Sequence, residues 1–173
     1  MAKKKKKKKK NTLQERLIEE RIRAVAIVYL TRRPEITIHE ETKDIGIDLL
    51  AFISPNDKVG VRQFGVKLIG IWKDVTVEQA NLALRPTMHE MQRHGPFPFP
   101  VLLFFFTMEK NRGWYTWVAQ PLVSAQAAIE MPIHHEADCH PLDDLALDEI
   151  VAHVNAWYDA YYAQVGSLAG SRG

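Results

Sequence analysis

The chain has 173 residues, 46% of them apolar and 25% charged, which fits one soluble globular domain and excludes a collagen-like, disulfide-scaffold or wholly disordered chain. The single cysteine, Cys139, excludes an intramolecular disulfide and fits a reducing, cytoplasmic setting. The net charge of +2 hides an asymmetry: Lys3, Lys4, Lys5, Lys6, Lys7, Lys8, Lys9 and Lys10 are consecutive, and without these eight lysines the rest of the chain carries −6. The longest apolar runs, residues 24–30 and 101–107, fall far short of the ~20 residues of a membrane helix. No membrane partner is expected, and no secretory signal, because the basic start runs into a charged segment.

Residues 1–11 are of low complexity and are predicted to be a disordered tail, since lysines repel one another and bury nothing. Thr12 with Glu15 three residues on makes the capping-box pattern and predicts the first helix start. Leu13, Leu17, Ile18, Ile22, Val25, Val28 and Tyr29 then recur at helical spacing, predicting one helix over 12–33 that Pro34 stops. Its later half is apolar nearly all round, which predicts a well-buried helix. Residues 35–41 alternate, with Ile36 and Ile38 on one face, and predict a strand. Residues 45–53 are apolar on both parities, as a central strand covered on both faces would be.

A turn at 54–58 leads to a third predicted strand over 59–69, with Phe64, Val66 and Leu68 on one face and Gln63, Gly65 and Lys67 on the other. A helix over 76–93 follows, with Pro86 as a candidate break. The proline-rich stretch 95–100 is extended, and 101–107 reads as a fully buried strand. A turn at 109–113 returns the chain as a hairpin partner over 114–119. A short helix is predicted after Pro121, a loop over 134–141, an amphipathic helix over 143–165 and a disordered end over 166–173. The predicted class is α/β, a single domain over 12–165 with a mixed central sheet of about five strands flanked by helices.

Three residues stand out chemically. Asp48 lies among apolar neighbours, and an isolated buried carboxylate costs several kcal/mol unless it is paired or bound to a metal. It is therefore either half of a structural salt bridge, or a metal ligand or catalytic acid. Lys67, on the polar face of the next strand, is its natural partner, the alternative being a solvated surface lysine. Glu20 has Ala24 four residues on and so lacks a local cation, whereas Glu19 has Arg23. Glu20 is therefore predicted to point at the sheet.

A helical glutamate, an aspartate in the second strand and a lysine in the third make a constellation that resembles the PD-(D/E)XK, or restriction-endonuclease-like, nuclease superfamily over residues 12–119. The residues carrying it are Glu20, the stretch D-I-G-I-D-L-L (44–50) and Q-F-G-V-K (63–67). The later segments P-V-L-L-F-F-F and G-W-Y-T-W are similar to a bacterial family of unknown function linked to restriction and defence loci. The resemblance implies magnesium-dependent phosphodiester cleavage, with Asp48 as metal ligand and Asp48, Lys67 and Glu20 as the catalytic set. Gly65 departs from the pattern, standing where the motif has an acid or amide and leaving room beside Asp48. The resemblance then implies a nucleic-acid-associated protein, with DNA the favoured partner, whose own cleavage is weak or lost. The lysines from Lys3 to Lys10 would contact phosphates, and Glu40, Glu41 or Asp44 could supply a relocated ligand. An active magnesium nuclease and a structural subunit that binds a partner protein are the alternatives.

Two further groups carry side chains of possible chemical use. His134, His135, Asp138, Cys139 and His140 crowd one loop but lack the two separated ligand pairs of a structural zinc site, so a surface loop is expected. Trp114, Tyr115 and Trp117 could stack on bases, but an alternating strand buries them more simply.

Overall fold

The computed structural model describes residues 12–41, 45–54 and 60–170. The lysine run, Asp44, most of the predicted turn at 54–58 and residues 171–173 lie outside the described residues. Helix α1 (Leu13–Leu30) starts as the capping pattern predicts: Glu15 N–H donates to Thr12 Oγ1 at 3.2 Å, and Thr12 N–H donates to the Glu15 carboxylate at 2.7 Å. It ends before Arg33, with the Thr31 N–H and hydroxyl both donating to the Ile27 carbonyl. The residue preceding Pro34 is in any case biased away from helical backbone.

Strands β1 (Ile36–Glu40), β2 (Leu49–Ile53) and β3 (Arg62–Ile71) form an antiparallel meander. Helix α2 (Val77–His94) crosses over to β4 (Val101–Thr107), which pairs in parallel with β3, as a parallel neighbour requires a long crossover. Strand β5 (Arg112–Ala119) returns antiparallel to β4. Strands β6 (Leu122–Val123) and β7 (Ile129–Glu130) pair with each other, β8 (His140–Pro141) adds to the edge of β5, and α3 (Asp144–Gly170) closes the fold. The main sheet has six strands in the order β1-β2-β3-β4-β5-β8. The α/β class and the mixed sheet are as predicted, with one more strand.

The sheet separates two cores. On one face Leu49, Ala51, Phe64, Val66, Leu102, Phe104 and Phe106 pack against Ile22, Ala26 and Leu30 of α1 and Leu147, Ile150 and Val154 of α3. On the other, Val101, Leu103, Phe105, Trp114 and Val118 pack against Ala80, Leu84, Met88 and Met91 of α2. Strand β4 is buried along its whole length because both faces are covered. Gly70 lets α1 lie close on β3: a Cβ there would stand 2.6 Å from Ile22 and 2.8 Å from Ile18.

Several expectations are corrected. Pro86 does not break α2: it sits on the exposed side, and Leu82, whose carbonyl loses its N–H partner, is also exposed and can be hydrated. After Pro121 the chain forms the β6–β7 pair instead of a helix, with the Gln126 and Ala128 N–H groups donating to Ser124 Oγ in the connecting turn. The predicted loop over 134–141 ends as strand β8, and α3 continues through 166–170, which were expected to be disordered. Helix α1 is not buried all round. Only Ile22, Ala26 and Leu30 are buried, while Leu13, Leu17, Val25 and Val28 face outward.

Candidate functional site

The β2–β3 ladder pairs Leu49 with Val66, and one step further along it stand Asp48 and Lys67. The Asp48 N–H still donates to the Val66 carbonyl at 2.9 Å, but β2 goes no further and β3 continues to Ile71 without it. The Leu68 N–H therefore needs another acceptor, because a buried backbone donor left unpaired is costly. Asp48 supplies it: its Oδ2 accepts from Leu68 N–H at 2.7 Å. Lys67 Nζ lies 3.3 Å from each carboxylate oxygen, which meets the expectation that these two charges lie close on one face. Asp48 is not in a fully buried strand, as predicted, but at the strand's mouth. Its side chain is 25% exposed and that of Lys67 26%, so neither charge is fully desolvated.

Helix α1 forms one wall of the cleft beside this pair. Glu19, Ile22 and Arg23 from α1 and Asp48, Lys67, Leu68 and Ile69 from the sheet side line an open cleft of about 300 Å³. Arg23 Nη1 is tied to Glu40 Oε2 at 2.9 Å, joining the helix to β1. Glu20, the expected third member, does not line this cleft. It is exposed and borders a separate groove with Leu17, Arg21, Trp72 and Met108. Successive helical residues turn by about 100°, so Glu19 and Glu20 cannot serve the same face. The signal for Glu19 was present: it precedes Ile22 and Ala26 by three and seven residues and so shares their stripe.

Gly65 does not leave room beside Asp48. A Cβ at this position would stand 3.1 Å from Ile47 and from Phe99, so the space is filled by the core beneath α2. The magnesium implied by the superfamily takes oxygen ligands in near-octahedral geometry. The cleft offers the carboxylates of Asp48, already engaged by Lys67 and Leu68, and of Glu19, while the position at Gly65 turns into apolar core. No group of three His, Cys, Asp or Glu side chains that could hold a metal gathers among the described residues. The donor set among the described residues does not fit such an ion.

The other chemical groups are dispersed. His140 Nε2 pairs with Asp138 at 3.3 Å, and His134 Nε2 meets Gln120 Oε1 at 2.8 Å. Cys139 is buried instead, and burial, then the charge of Asp138, pushes its thiol up to about 11. Trp114 packs in the α2-side core and Tyr115 in the opposite one, with Trp117 against the same core as Tyr115. Trp114 and Tyr115 are buried, while Trp117 is half-buried and borders a small cleft with Gln120, His134 and His140. A second ionic cluster, missed in the sequence, joins the start of α2 to the β4–β5 hairpin. Asp74 accepts from Arg112 Nε at 2.8 Å and from Thr107 Oγ1 at 3.2 Å, and Lys110 Nζ lies 3.2 Å away. Arg112 first, then Lys110, holds the Asp74 carboxyl well below the usual carboxylate range. A scan against protein-family models finds no match to this chain, and a search of curated proteins finds none either.

Proposed function

We propose that the chain is a nucleic-acid-associated protein of restriction-endonuclease-like architecture, from a prokaryotic defence or mobile-element setting, that binds without efficient cleavage. The observation that carries this reading is the Asp48–Lys67 pair, held across the β2–β3 ladder at a cleft that α1 also lines, while Gly65 is sealed by Ile47 and Phe99. The element order supports it: a helix, an antiparallel meander, a crossover helix and a strand parallel to the last of the meander surround that pair. Lys67 is neutralised by Asp48 and Arg23 is tied to Glu40, so the cleft itself draws a phosphate only weakly. Attraction to a phosphate backbone then falls to the lysines from Lys3 to Lys10, because the remainder of the chain is net acidic.

Architecture alone does not fix function, so the assay decides. The full chain is incubated with labelled DNA and RNA, single and double stranded, with and without magnesium, reading binding and cleavage separately. Salt-sensitive binding with no metal-dependent cleavage is expected. Cleavage that Asp48→Ala abolishes overturns the non-cleaving reading, and Glu19→Ala then tests whether the second carboxylate of the cleft has taken over. Failure to bind any of the four substrates overturns the nucleic-acid reading.

A further inference from the structure

The outward face of α1 is apolar over most of its length, which a helix paired only with its own sheet does not need. At about 100° per residue, Leu13, Leu17, Glu20, Ala24 and Val28 fall within an arc of about 80°, on the side opposite Ile22, Ala26 and Leu30. Leu13 is 75% exposed, Leu17 57% and Val28 59%. Trp72, 53% exposed, extends the surface at its margin, in the groove it shares with Leu17 and Arg21. Exposed apolar side chains gathered on one face in this way mark an interaction site. Among the described residues Glu20, the single charge within the stripe, accepts no hydrogen bond and joins no ion pair, although the neighbouring Arg21 donates to Asn111 Oδ1 at 2.6 Å.

We propose that this face is covered by the same face of a second copy of the chain, in an antiparallel, two-fold α1–α1 dimer. The stripe is self-complementary, as an isologous interface must be. When two copies of α1 run antiparallel with the two-fold between Glu20 and Arg21, Leu13 shares a layer with the partner's Val28 and Leu17 shares one with the partner's Ala24. Both halves of the seam are then apolar and identical. The layer on the two-fold holds Glu20 and Arg21 of both protomers, two charges of each sign, so the one charge in the stripe meets its neutralising partner there. Other registers slide a glutamate or arginine under a leucine or place Leu13 and Val28 beyond the overlap. A seam about 27 Å long is at the small end of stable interfaces, so dissociation on the order of micromolar is expected. This inference does not rest on the nucleic-acid reading.

Sedimentation equilibrium of the full chain at physiological ionic strength, from low to high micromolar concentration, tests it. The mass should rise from 19.8 kDa towards twice that value. Glu20→Arg puts four positive charges into the central layer and Arg21→Glu four negative ones, so each alone should weaken the dimer more than about tenfold. The double exchange, E20R with R21E, restores two charges of each sign and should restore the dimer. Adjacent helical residues do not face each other, so within a single copy this exchange has no reason to rescue anything. Leu17→Glu, at an exposed site that leaves the fold intact, should also give a monomer. A monomer throughout the range overturns the proposal and leaves the face to a different protein. A dimer indifferent to the single reversals, or one that the exchange does not restore while circular dichroism stays unchanged, overturns it as well.

Discussion

Gly65 is where the superfamily pattern and this fold part company, and substituting it measures how firmly the site is closed. A Cβ here meets Ile47 Cδ1, Ile47 Cγ2 and Phe99 Cε2, each at 3.1 Å, a few tenths of an ångström inside ordinary contact. Both neighbours belong to the core under α2, where Phe99 is 9% and Ile47 4% exposed, so neither can swing into solvent. Gly65→Ala should therefore overpack the core and cost about 1–3 kcal/mol. At this chain length each kcal/mol lowers the melting temperature by about 2–4 °C. Gly65→Glu adds a buried carboxyl to the same strain and should cost several kcal/mol more at neutral pH. The sign of its pH dependence follows from the burial. The introduced carboxyl is harder to ionise folded than unfolded, so the added penalty is absent below the unfolded carboxylate value and grows as pH rises through the folded one. The double variant Gly65→Ala with Ile47→Ala should recover part of the Gly65→Ala loss, because the clash and the cavity offset each other. Thermal melts of the four proteins across pH 4 to 8, with and without magnesium, supply the measurement. A Gly65→Glu protein as stable as the parent, and further stabilised by magnesium, would refute the closed-site reading.

Deleting the lysines from Lys3 to Lys10 should flatten the log–log salt dependence of duplex binding, by at most roughly 7 if all eight engage phosphates; an unchanged slope would move the contact onto the folded body. Arg62, 2% exposed, donates to the Asn155 carbonyl at 2.9 Å and to Asp159 at 2.5 Å, anchoring α3 to β3. Arg62→Met should cost on the order of 2–3 kcal/mol in denaturant unfolding, and a change within experimental error would show that apolar packing alone docks α3. The Asp74 cluster should contribute an acid-sensitive part of stability. Its folded pKa lies below the ordinary 3.8, so the contribution is present above that value and is lost as pH falls through the lower, folded one. Asp74→Asn should melt earlier than the parent at neutral pH, with the gap closing in strong acid. A gap independent of pH would mean that the hydrogen bonds matter and the charge does not.

The Asp48–Lys67 pairing was legible because it depends on short-range facts. Alternation sets which side chains of β3 share a face, and an antiparallel meander brings the start of one strand beside the middle of the next. What surrounds the pair was not legible. Ile47 and Phe99 reach Gly65 from different parts of the chain, and no periodicity in β3 reveals that they fill its space. Glu19 and Glu20 differ by a rotation of one residue, and the absence of a local cation beside Glu20 does not pull it towards the sheet. The two-residue strands β6, β7 and β8 are too short to show any alternation, so the sequence offers only a helix after Pro121 and a loop over 134–141 in this region.

Helix α1 shows the deepest limit. Its later half is apolar nearly all round, a pattern that predicts removal from water but not the identity of the cover. The sheet covers Ile22, Ala26 and Leu30, and nothing in this chain's described residues covers Leu13, Leu17 and Val28. The hydrophobic pattern that predicted burial therefore retains its force on the outer face, where apolar side chains gain from leaving water whichever chain provides the contact. A glutamate with no partner among the described residues, in the middle of that face, would weaken any purely apolar cover. It fits a cover that brings its own arginine to the same level, as a second α1 running the other way would.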